Sequence, residues 1–157
     1  SRLGDGTFIP LHAPARVSST LVRDELMKEE SVQDAVKLMN RIDVALVGIG
    51  YPNEHSAIKA TGYYKENEIE SLVSRKAAGE LCMQFYDIEG HTGPYASDNA
   101  VIGMDIHRLC KVPCSVGIAG GKEKLSAIQG AINGKYINVL ITDTECARAL
   151  LSDEEEE

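Results

Sequence analysis

The chain has 157 residues, 43% of them hydrophobic, the size and composition of one ordinary globular domain that buries about 70% of its unfolded surface. Its longest apolar runs, Val44-Ala45-Leu46-Val47 and Val139-Leu140-Ile141, fall far short of the roughly 20 residues of a membrane-crossing helix, and nothing reads as a targeting leader. The formal charge of −8 is concentrated in residues 153–157, so the body is nearly balanced and carries no basic stripe with which to neutralise nucleic-acid phosphates.

Short β-rich runs alternate with stretches of helical apolar spacing, the pattern of β-α units packed on a parallel sheet. The expected fold class is therefore α/β, a Rossmann-like parallel sheet flanked by helices. Residues 8–11 read as a short strand closed by Ala13-Pro14, and Leu21, Val22 and Leu26 make one face of a helix over residues 19–28. A second helix opens at Ser31 as N-cap, with Asp34 in its first turn and Val32, Ala35, Val36 and Met39 in helical register. Residues 44–47 are a continuous apolar run, the mark of a strand buried on both faces, and lead into Gly48-Ile49-Gly50.

Residues 51–62 lack periodicity and read as a long loop, a kind of segment that often carries function. A helix follows over residues 65–75, with Ile69, Leu72 and Val73 apolar. After Gly79-Glu80, residues 81–86 read as one strand, residues 87–90 as a turn, and a hairpin-like excursion continues to Val101 and Ile102. The last third is the clearest: strand 114–119, loop Gly120-Gly121, helix 122–133 stopped by Gly134, strand 139–142 and helix 144–151. There is no repeat of fixed period, and residues 153–157 read as a disordered acidic tail.

The strongest local signal is residues 116–124, where a strand meets Gly120-Gly121 and then a helix start. Glycines let backbone approach a ligand, and the free N–H groups of a first helical turn favour an anion such as phosphate. Lys122 and Lys124 oppose the helix dipole there, a conflict relieved if one of them also holds the anion; equally, Gly-Gly can serve tight packing with both lysines solvated. The run is not a Walker loop, and Gly48-Ile49-Gly50 lacks the rest of a dinucleotide fingerprint. Both glycine pairs end predicted strands, where ligands bind in open parallel sheets, and Glu80 beside Gly79 offers a carboxylate to sugar hydroxyls or else a plain surface charge. Cys82, Cys110, Cys114 and Cys146 read as small buried thiols, and His12, His55, His91 and His107 fall at unrelated spacings, so neither a metal cluster nor a nucleophile with a base is expected.

Five motifs in order, Ile9-Pro10-Leu11-His12-Ala13-Pro14-Ala15, Asp43-Val44-Ala45-Leu46-Val47-Gly48-Ile49-Gly50, Ala78-Gly79-Glu80-Leu81, Ala119-Gly120-Gly121-x-x-Lys124-x-x-Ala127-Ile128 and Leu140-Ile141-Thr142-Asp143, resemble the effector-binding domain of SorC-type bacterial transcriptional regulators. The likeness runs from about Ile9 to Leu151 and implies a fold similar to sugar-phosphate isomerases and deaminases. It implies a cytoplasmic, homo-oligomeric sensor of a phosphorylated sugar, with no cofactor, no catalysis and no membrane contact. Carried over by position, Glu80 contacts sugar hydroxyls, Lys124 contacts the effector, and Gly48, Ile49, Gly50, Gly120 and Gly121 wall the pocket. Family members begin with a helix-turn-helix and a first sheet segment with a phosphate loop, neither of which precedes Ser1. The expectation is a partial effector domain over residues 1–152, whose operator DNA is contacted only through the missing part. An isomerase or deaminase of the related fold is the alternative.

Overall fold

The frame is a three-stranded parallel sheet in the order β1 (Val44–Gly48), β4 (Cys114–Ile118), β5 (Val139–Ile141), with Leu46 opposite Val116 and Val116 opposite Val139. The computed structural model describes residues 6–53 and 57–152, so His55 and the acidic residues 153–157 lie outside it. Before β1 come helices α1 (Thr20–Leu26) and α2 (Glu30–Met39); between β1 and β4 lie α3 (Ala57–Ala60), α4 (Glu66–Ser74), a two-stranded antiparallel ribbon β2 (Gly79–Leu81) and β3 (Gln84–Tyr86), a 3-10 segment (Gly93–Asp98) and α5 (Ile106–Leu109). A 3-10 turn (Lys122–Lys124) runs into α6 (Leu125–Asn133), and α7 (Thr144–Ser152) follows β5. This is the α/β class expected.

One face of the sheet makes the core. Ala45 and Ile49 from β1 and its exit, and Ala119 beyond β4, pack with Ala127, Ile128 and Ala131 of α6, Leu81 and Tyr86 of the ribbon, and Tyr136 and Cys146. Small residues let these layers close: a Cβ on Gly130 would lie 2.5 Å from the Asp87 carbonyl, and Tyr86 Oη donates to the Ala127 carbonyl at 2.9 Å. A second cluster, Ile58, Tyr64, Ile69, Leu72, Phe85 and Tyr95, holds α4 and the 3-10 segment, with the ribbon between the two clusters. Arg16 ties the N-terminal segment to this second cluster, its guanidinium 2.7 Å from Glu68 and stacked on the Tyr64 ring.

Several local expectations are corrected. Residues 8–11 form no strand, because no neighbouring strand pairs them; Phe8 is 86% exposed. Ser19 caps α1 by accepting the Val22 N–H, but α2 begins one residue before Ser31, with Glu29 at its N-cap position. Residues 81–86 are two strands, reversed at Cys82-Met83, where both residues have positive φ. The stretch 87–102 is not a hairpin: it contains the 3-10 segment and returns to bridge Arg16 through Val101. The 51–62 loop contains the short α3, and α6 starts at Leu125 rather than at Lys122.

β1 is buried on one face only, since Val44 and Leu46 are exposed while Ala45 is buried. The cysteines differ too: Cys146 is buried, Cys82 and Cys114 are half-buried, and Cys110 is exposed, at the end of α5 where its thiol faces the Gly134 carbonyl.

Candidate functional site

The carboxyl ends of β1 and β4 lie side by side because the strands pair in register, which sets Gly48-Ile49-Gly50 next to Ala119-Gly120-Gly121; the Ile49 N–H donates to the Ile118 carbonyl at 3.0 Å. Glu80, which the sequence set just ahead of a strand, lies within the short strand β2 itself. It enters from the β2–β3 ribbon, paired backbone to backbone with Gly50, each N–H donating to the other's carbonyl at 3.0 and 2.9 Å. Glycine at position 50 leaves room for the glutamate: a Cβ there would fall 2.2 Å from Glu80 Oε1 and displace that side chain.

Lys124 comes from the other side. Its Nζ donates to the Ile49 carbonyl at 3.0 Å, so the lysine and the glutamate converge on adjacent residues of the β1 exit. Burial raises the Glu80 carboxyl above its ordinary range, and the Met83 N–H, at 2.8 Å from Oε2, and the Lys124 charge pull the other way. A half-buried carboxylate beside an ammonium is suited to a polyhydroxylated ligand, accepting from hydroxyls on one side and donating to oxygen on the other. Cys82 adds no nucleophile, since burial, then the Glu80 charge, pushes its thiol up to about 11.

The Gly120-Gly121 turn is built differently from a simple anion cradle. Asp143, two residues past β5, accepts the Gly121 N–H on Oδ2 at 2.7 Å and the Cys146 N–H on Oδ1 at 2.9 Å, and these two donors hold its carboxyl below the usual range. The Glu123 carboxylate also lies against Gly121, whose φ of 99° is glycine territory. Lys122 pairs with Glu145 at 3.6 Å, leaving Lys124 as the lysine of this turn that reaches the β1 exit. The part played by Asp143 was not in the sequence reading: an Asp before a helix signals an N-cap, whereas its contact with Gly121 spans 22 residues. Among the described residues, no group of three His, Cys, Asp or Glu side chains is placed to hold a metal ion, and no helix is long and apolar enough to cross a membrane.

Residues 2–152 match the family described as "Putative sugar-binding domain". The chain belongs to this family of SorC-type regulator domains. The sorbitol operon regulator of Klebsiella pneumoniae is 35% identical to this SorC-type chain over 88% of its length and 44% of the relative's. The deoxyribonucleoside regulator of Bacillus subtilis is 31% identical over 93% of the chain and 46% of the relative. The crystal structure of the full-length Klebsiella pneumoniae regulator superposes with a TM-score of 0.77 at 36% identity, covering 88% of this chain and 44% of that one. The SorC-type chain thus spans about half the length of the curated relatives it matches.

Proposed function

We propose that this chain is the effector-sensing module of a bacterial transcriptional regulator, and that it takes a phosphorylated sugar into the cleft between Glu80 and Lys124. The observation that carries the reading is the convergence of those two side chains on Ile49-Gly50 from separate elements, Lys124 Nζ on the Ile49 carbonyl and the Glu80 carboxylate against Gly50. Glu80 accepts from sugar hydroxyls and Lys124 donates to a ligand oxygen, while Gly48, Ile49, Gly50, Gly120 and Gly121 bring backbone close to the ligand. Its relatives are named regulators, which supports a sensor rather than a catalyst. In this reading the protein works in the cytoplasm as a homo-oligomer, needs no cofactor, and reaches operator DNA through another part of the full-length polypeptide. Ligand changes DNA binding to the extent that it favours one arrangement of the assembly over another.

Calorimetric titration with sorbitol phosphate, deoxyribose phosphate and their unphosphorylated counterparts tests this. At least one phosphorylated sugar is expected to bind, and Lys124→Met to weaken it by about 1–3 kcal/mol, the cost of losing a charged hydrogen-bond partner. Unchanged affinity removes Lys124 from the site. Turnover of ribose phosphate or glucosamine phosphate by the chain identifies an isomerase or deaminase instead.

A further inference from the structure

We infer that Asp143 is a positioning residue for this cleft: its second carboxylate oxygen clamps the Gly120-Gly121 turn and thereby places Lys124. The inference rests on the reading of Lys124 as a ligand contact. Asp143 first serves α7 as N-cap, Oδ1 accepting the Cys146 N–H at 2.9 Å and its carbonyl accepting the Ala147 N–H at 3.0 Å. That duty needs one side-chain acceptor, which Ser or Asn supplies about as well. The other oxygen is committed elsewhere, on the Gly121 N–H at 2.7 Å, a short charge-assisted bond from the end of β5 to the end of β4.

Gly120 leaves room for it, because a Cβ there would sit 2.8 Å from Oδ2. The Gly121 carbonyl in turn accepts the Lys124 N–H at 2.9 Å, closing the single 3-10 turn from which the lysine projects. From that turn the Lys124 side chain reaches Ile49, 75 residues away in sequence. Asp143, Gly121, Lys124 and Ile49 therefore form one chain of hydrogen bonds across the ends of β5, β4 and β1. With the clamp gone, α7 keeps its cap and the turn is free to rotate.

Asp143→Ser and Asp143→Asn separate the two duties, since each keeps an acceptor for the Cys146 N–H and loses the second one. Both are expected to unfold at nearly the parent midpoint, while Lys124 acylation by an amine-labelling reagent, read by mass spectrometry, rises several-fold. Sorbitol phosphate or deoxyribose phosphate, whichever the parent binds, is expected to bind about tenfold more weakly, some 1.4 kcal/mol. Gly120→Ala attacks the clamp with Asp143 in place, and should raise Lys124 labelling in the parent yet add nothing in the Asp143→Ser background.

Parent-level labelling in both Asp143→Ser and Gly120→Ala reduces Asp143 to a helix cap and overturns the inference. Weakened binding with unchanged labelling overturns it too, because Asp143 would then act on the ligand directly. If the serine variant does not fold, the alanine variant decides alone. A rise in labelling in a chain that binds neither sugar phosphate upholds the clamp and sinks the sensor reading.

Discussion

Glu80 is asked to do two incompatible things. Its Oε2 holds the Met83 N–H and so braces the reversal between β2 and β3, while its charge is half-buried and is proposed to meet the ligand. Because burial raises its pKa above the unfolded value, its relative contribution to stability is full below the unfolded pKa and is lost as pH rises through the folded one. Once ionised, the carboxylate is thus a net cost, offset only in part by Met83 and Lys124. Glu80→Gln keeps an acceptor for Met83 and removes the charge, so its denaturant midpoint at pH 7 should equal or exceed the parent's, with a flatter decline from acid to neutral pH. Its affinity for sugar phosphate should fall by about 1.5–3 kcal/mol, the worth of a hydrogen bond to a charged group. A variant destabilised at pH 7 would show that Lys124 and Met83 more than repay the burial. The sequence singled out Glu80, beside Gly79, and Lys124, three residues after Gly121, as candidates; the contact of Asp143 with Gly121 was not visible there, since it spans 22 residues and joins the ends of two strands.

At the scale of elements, four non-glycine residues among those described take left-handed φ, and this is where the sequence misled. Cys82 and Met83, with φ of 52° and 62°, occupy a two-residue hairpin turn that usually calls for Asn-Gly, and an apolar run without such residues reads as one strand. Tertiary packing overrides the local preference, for Cys82 packs against the sheet core and Met83 against the second cluster. The helix ends show the same override. Gly134 looked like the left-handed stop of α6, yet it has φ of −71°, and Lys135 takes the left-handed position at φ 56°. The Tyr136 N–H then bonds the Ala131 carbonyl and the Lys135 N–H the Ile132 carbonyl, the paired bonds of a Schellman ending. Gly134 is required for another reason: a Cβ on it would lie 2.3 Å from the Tyr136 ring. α4 ends identically, with Lys76 at φ 62° and the Ala77 N–H on the Leu72 carbonyl. Both lysines are exposed, so Lys76→Gly and Lys135→Gly should each stabilise by about 0.5–1 kcal/mol, the steric relief less the added unfolded-state entropy. Chemical denaturation measures it; a lowered midpoint would show that the left-handed residues carry no strain.

At the scale of the whole molecule, the described residues cover the sheet on one side only. The strands advance in one direction, β1 to β4 to β5, and crossovers of the usual hand place the intervening elements on the same face, where α6 and the ribbon pack. Alternation sends every second side chain to the other face: Val44 is 55% exposed, Leu46 70% and Ile141 54%, with Ile118 and Val139 beside them. A parallel sheet normally has both faces covered, which is why the run 44–47 read as fully buried from sequence. Among the described residues only one face is covered, so the expectation of full burial fails at Val44 and Leu46. Exposed apolar surface of this kind favours association, so the isolated chain is expected to sediment with a concentration-dependent weight and to brighten a hydrophobic dye such as anilinonaphthalene sulfonate. In Leu46→Lys/Ile141→Lys both signals should fall, while stability stays within about 0.5 kcal/mol of the parent per site, as for surface substitutions. A double variant that still sediments with a concentration-dependent weight would show that association runs through another surface.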